Sequence, residues 1–110
     1  MILSIATEGK MVCPHFGHAP HFTLVEISDG KVIKTDTVPS PGHAPGALPA
    51  WMKERNVDIV ISGGMGPKAK DLFTQYGIDT LTVEPEEIDT VIKNYLEGNI
   101  KEGPGACTHE

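Results

Sequence analysis

The 110-residue chain is poor in aromatic side chains, with one tryptophan, two tyrosines and three phenylalanines. That is too few for a platform on which bases or sugars stack. Basic residues are scarce as well: nine Lys and Arg against fifteen Asp and Glu give a formal charge of −6, and no cluster of Lys and Arg interrupts that balance. Nucleic acid and anionic membrane are therefore not expected as partners, because both need a positive footprint. Long apolar runs are missing too. The longest, such as residues 2–6, fall far short of the ~20 residues of a membrane span or of a signal-peptide core, so a cytoplasmic protein is expected. Cysteine is limited to Cys13 and Cys107; free thiols are the expectation, since an intracellular chain with this much apolar content needs no disulfide framework.

What is present is enough for one core. Hydrophobic residues make up 39% of the chain, and the length suits a single domain. Residues 2–6 form an apolar run that reads as a strand buried on both faces, with Met11 and Val12 extending it. Residues 22–27 and 32–38 flank Ser28-Asp29-Gly30-Lys31, a strong hairpin signal. After a Gly/Pro-rich loop at 39–45 the pattern alternates between helix and strand. Leu48, Trp51 and Met52 have helical spacing, with Pro49 in the first turn and Asn56 as the stop. Residues 57–61 form a second buried strand. Pro67 opens a helix whose apolar face is Ala69, Leu72, Phe73 and Tyr76, ended by Gly77. Residues 78–83 form the last strand. Pro85 opens a third helix with Glu86 and Glu87 in its first turn and Ile88, Val91, Ile92, Tyr95 and Leu96 on its apolar face, closed by Gly98. The expected architecture is α/β: a mixed five-stranded sheet with an antiparallel hairpin at one edge, and three helices distributed over both faces. Residues 1–98 form the domain, and 99–110 are expected to be a flexible tail containing Cys107 and His109.

Chemistry concentrates in one loop. Cys13, His15, His18 and His21 lie within nine positions, interleaved with Pro14 and Gly17, which keep the stretch from becoming a helix. Thiolate and imidazole suit zinc, copper or an iron-sulfur cluster, whereas magnesium and calcium want oxygen. Each residue taken singly also fits a plainer role: His21 as the start of a strand, His18 as a solvated side chain, Cys13 as a small buried apolar one. The spacing matches neither a C-x-x-C pair nor a zinc knuckle. His43, in the second Gly/Pro loop, is a secondary candidate where the two loops approach each other at the carboxyl ends of the parallel strands; it also fits an exposed linker. The turn Ser62-Gly63-Gly64-Met65-Gly66-Pro67-Lys68 follows a strand and opens a helix. It offers amides and a helix dipole to an anion, or is simply a tight turn. It is neither G-x-G-x-x-G nor a Walker loop.

Three segments carry a resemblance: H-F-G-H-A-P-H-F from His15 to Phe22, G-H-A-P-G-A-L-P from Gly42 to Pro49, and V-D-I-V-I-S-G-G-M-G-P-K-A from Val57 to Ala69. In this order and at these intervals they resemble the dinitrogenase iron-molybdenum cofactor biosynthesis family, over nearly residues 1–98. The resemblance implies a ribonuclease H-like α/β fold and the carriage or insertion of metal clusters. It implies His15 as the foremost cluster ligand with Cys13 as a helper, and matches Gly63, Gly64 and Gly66 to the family's glycine turn.

The expected function is binding, carriage or delivery of an iron-sulfur or molybdenum-containing cluster, without catalysis. Its partners would be a cluster donor or acceptor protein, and the chain itself a monomer or weak homo-oligomer. The competing expectations are a simple zinc-binding or protein-interaction module and a metal-dependent nuclease. The nuclease needs several carboxylates, yet residues 2–6 offer none and Asp58 would lie at the wrong end of its strand.

Overall fold

The computed structural model describes residues 1–42 and 46–98. Strand β1 (Ile2–Glu8) sends Leu3 and Ile5 to one face and Ile2 and Ala6 to the other, so it is apolar on both sides and lies in the sheet interior. Gly9, with φ of 65°, then reverses the chain. Met11 and Val12 consequently do not extend the first strand; they form a separate two-residue strand β2 (Met11–Val12) that folds back antiparallel onto Glu8 and Thr7. Strand β3 (His21–Ser28) pairs antiparallel with β1, and β4 (Lys31–Pro39) pairs antiparallel with β3. Between them Asp29 and Gly30 have φ of 54° and 76°, the two-residue turn whose twist matches the strands it joins.

Helix α1 (Ala47–Glu54) holds Pro49 in its first turn and stops before Asn56, which adopts φ of 60°. Strand β5 (Ile59–Ser62) runs parallel to β1; helix α2 (Pro67–Gln75) and strand β6 (Asp79–Thr82) follow, with β6 parallel to β5. Helix α3 (Ile88–Leu96) ends the domain. Pro85 does not open it. The carbonyl of Glu86 accepts from Val12 N–H at 2.8 Å, Ile88 N–H donates to the Lys10 carbonyl at 2.9 Å, and Glu87 bridges Met11. That segment is held extended against β2, so helical bonding begins only at the Glu87 carbonyl, which accepts from Val91 N–H at 3.1 Å. Tyr76 and Leu96, expected on buried faces, are each 37% exposed, because both sit where their helices end.

The strand order is β4-β3-β1-β5-β6, with β2 attached to β1: the expected mixed five-stranded sheet plus one short extra strand. Helices cover both faces. On one, α1 and α2 bring Met52 and Phe73 against Ala6, Phe22 and Val60; on the other, α3 brings Val91 against Leu3, Ile5, Val25 and Ile61. The registers Thr7↔His21, Ile5↔Ile61 and Ser62↔Thr82 set the carboxyl ends of β1, β5 and β6 and the start of β3 along one rim. Open α/β sheets place ligands at such a rim. No described helix is long and apolar enough to cross a membrane.

Candidate functional site

The loop between β2 and β3 is pinned from both ends. Cys13 N–H donates to the Ala6 carbonyl at 2.8 Å, continuing the β2 pairing for one more residue. Further on, residues Phe16–His18 make a single 3-10 turn, with His18 N–H donating to the His15 carbonyl at 3.0 Å. Phe16 is the anchor. It is buried, with its ring centroid 5.6 Å from that of Phe22 and 5.4 Å, edge-on, from that of Phe73, arrangements that suit the aromatic quadrupole. With Phe16 turned inward, His15 and His18 on either side of it are exposed, their ring centroids 5.7 Å apart.

The glycine turn packs directly under this loop. Gly63 N–H donates to the Cys13 carbonyl at 3.0 Å, Phe16 N–H donates to the Gly64 carbonyl at 2.9 Å, and the Ser62 hydroxyl donates to the same carbonyl at 3.2 Å. A Cβ on Gly63 would stand 2.6 Å from Pro14 Cα, and one on Gly64 3.0 Å from Pro14 O. Glycine is required at position 63 and closely fitted at 64, because two backbones meet there. Gly66 has a different role: a Cβ there meets nothing within 4 Å. It is the N-cap of α2 and supplies no side-chain cap, so the first amides of that helix keep their donors open.

An open groove of about 540 Å³ lies between the loop and α2, lined among others by His15, His18, Gly64, Met65, Lys68 and Ala69. His15 and His18, a methionine partly packed against the core, Lys68 and the amino end of α2 border it. The last two favour negative charge, and the imidazoles and thioether are soft donors.

The structure thus gathers His15 and His18 with Gly63, Gly64 and Gly66, and leaves two of the expected donors out of the groove. Cys13 is buried in the core, its Sγ donating to the His15 carbonyl at 3.2 Å and 3.9 Å from Glu8 Oε1. His21 is exposed at the start of β3, paired with Thr7 and Pro39. Strand geometry fixes both directions, since Cys13 and His21 belong to the ladder while His15 and His18 lie in the turn. Among the described residues no three His, Cys, Asp or Glu side chains come together to hold a metal ion. His43, Cys107 and His109 lie outside the described residues. Met65 and Lys68 belong to the turn read as a candidate anion site, but their side chains had no part in that expectation. The signal for Lys68 was its place in the first turn of a helix after an N-cap without a side chain.

Asp58 lies at the amino end of β5, where its Oδ2 accepts from Ile2 N–H at 2.8 Å, away from the rim as expected. Glu8 ends β1, one strand-end carboxylate beyond the stretch read from the sequence.

Comparison with known proteins places the chain in a family. The uncharacterized protein MJ0580 of Methanocaldococcus jannaschii is 31% identical over 106 residues, which is 92% of this chain and 90% of that protein. The crystal structure of PH0822 superposes with a TM-score of 0.87 at 30% identity, covering 96% of this chain and 98% of that one. The apo form of the orange protein from Desulfovibrio gigas superposes with a TM-score of 0.76 at 20% identity, covering 94% and 93%; at that identity the likeness is one of fold. The profile of the family described as dinitrogenase iron-molybdenum cofactor matches residues 1–98, from the first strand to the glycine that closes α3, and to that family the chain belongs.

Proposed function

We propose that the chain carries an iron-sulfur or molybdenum-containing cluster in the groove beside α2 and passes it to an acceptor protein, without catalysing covalent chemistry. The observation that carries this reading is the pairing of His15 and His18 with an uncapped helix N-terminus and Lys68. A structural zinc site needs four protein donors, and the described residues bring together no set of three. A cluster is mostly ligated by its own sulfide or oxide. Ferredoxin-type clusters are held by four Cys thiolates, which this groove does not offer; a pre-assembled anionic cluster would be held here by two imidazoles, with amides and positive charge for its surface. Few protein donors around an open groove also suit reversible holding, which a carrier requires. In this reading the strand order is a ribonuclease H-like topology used for binding; a nuclease would need several carboxylates together at the rim, whereas Glu8 stands there with no cluster of three donors among the described residues. The family description supports an inorganic cargo, and a fold relative exists in an apo form.

Anaerobic reconstitution with iron, sulfide and molybdate, followed by absorption spectroscopy and metal analysis, tests the proposal. A ligand-to-metal charge-transfer band with stoichiometric metal is expected. It should be lost in a His15→Ala, His18→Ala double variant and kept in Cys13→Ala, whose thiol we assign to packing. A colourless wild-type product, or a band indifferent to both histidines, overturns it.

A further inference from the structure

Strand β4 is an outer strand, and neither layer of helices covers it: residues 31–37 are exposed. Among the described residues no strand pairs with its outer edge. Proteins usually blunt such an edge with prolines or with charges of one sign, often lysines, which repel a second copy. Here the charges have opposite sign. Lys34 and Asp36 flank Thr35 on one face of the strand, 3.5 Å apart. When two copies of β4 lie antiparallel with Thr35 opposite Thr35, each Lys34 stands opposite the second copy's Asp36. Both pairs fall on the same face because residues two apart share a face. Either hydrogen-bonding phase of an antiparallel ladder accepts this register. In this register the two charges attract a second copy of the strand.

The strand also exposes apolar side chains, beside a bulge that confines any pairing to the residues after it. Lys34 pairs with Glu26 but Val32 pairs with Ile27, so Ile33 is the extra residue of a bulge. Ile33 is 59% exposed and Val32 38%. On the α3 face Val32 borders an open groove of about 380 Å³ with Thr35, Ile92 and Leu96.

We propose that the outer edge of β4 is a homodimer interface, joining two sheets into one around a two-fold axis at Thr35. The axis is perpendicular to the sheet, so the two rims point in opposite directions and each groove remains accessible. The net charge of −6 per chain opposes association at long range. At about 0.15 M salt the screening length is about 8 Å, and the contacts at the edge decide. One strand pairing is small beside the ~1,600 Å² of a stable interface, so the dimer is concentration-dependent.

Sedimentation of the full chain from micromolar to millimolar concentration tests this. Wild type is expected to pass from monomer to dimer. Lys34→Asp and Asp36→Lys, each placing two like-charge pairs across the interface, should weaken the dimer about tenfold, and the double exchange, which rebuilds both pairs, should restore it. Both side chains are exposed, so melting curves should show all variants folded. A monomer at every concentration overturns the proposal, as does a dimer insensitive to the charge reversals, which uses another surface. Hydrogen exchange showing the outer amides of β4 protected in the monomer also overturns it, because the chain then covers its own edge.

Discussion

Gly63 has no room for a methyl group. Its backbone lies so close to Pro14 that an added Cβ would stand 2.6 Å from Pro14 Cα, and that neighbour is main chain, with no rotamer to yield. Gly63→Ala should therefore destabilise the protein by about 1–3 kcal/mol, the usual range for overpacking. It should also weaken cluster loading by lifting the His15 loop away from the helix. Gly66→Ala, with open space and φ of −70°, should do neither to a comparable degree. Chemical denaturation and reconstitution titrations on the two variants separate them. The glycines were visible in the chain as a turn; the reason for two of them was not, because Pro14 comes from a different part of the sequence. Cys13 and the histidines present the same contrast. Their density was legible, but which of them face the groove depends on Phe16, whose burial against Phe22 and Phe73 turns its neighbours outward.

Among the elements, α2 connects stability and binding most directly. Gly66 occupies the N-cap with extended geometry, φ −70° and ψ 162°, which an Asp adopts readily and where its carboxylate would accept from the helix amides. Gly66→Asp is expected to stabilise the fold by about 0.5 kcal/mol, from the cap and its charge at the positive end of the dipole. The same carboxylate would occupy donors we assign to the cargo and repel its negative charge. Melting temperature should rise while cluster loading falls; loading that stays at the wild-type level would remove the helix terminus from the site. Local signals were reliable where the element was local. The Asp29-Gly30 turn and the stop at Asn56 need only their own residues' φ angles. Pro85 misled because a proline that suits the first turn of a helix suits an extended segment equally well. The contact that decides between them is the pairing of Glu86 and Glu87 with β2, a partner distant in sequence.

At the scale of the molecule, Tyr95 joins three parts of the chain. Its hydroxyl lies 3.2 Å from Met1 Sδ at the start of β1. Burial first, then the carboxylates of Asp58 and Asp79, raises its pKa above the ordinary 10.0. The neutral phenol is thus favoured more in the folded than in the unfolded chain. Its contribution to stability is whole below pH 10, and it is lost as the pH rises through the folded value. Denaturation above pH 10 should show a steeper loss of stability in wild type than in Tyr95→Phe; equal slopes would mean that the phenol stays solvated. Composition and periodicity were sufficient for the α/β class, the five main strands, the three helices and the position of the Cys/His loop. These follow from residue spacing and turn chemistry, which act over a few positions. The rim at which loop and glycine turn meet, the withdrawal of Cys13 into the core, the placement of Lys68 beside two imidazoles, and the open edge of β4 came only with the folded chain. Each depends on which backbone lies against which, and that is settled by long-range burial and strand register.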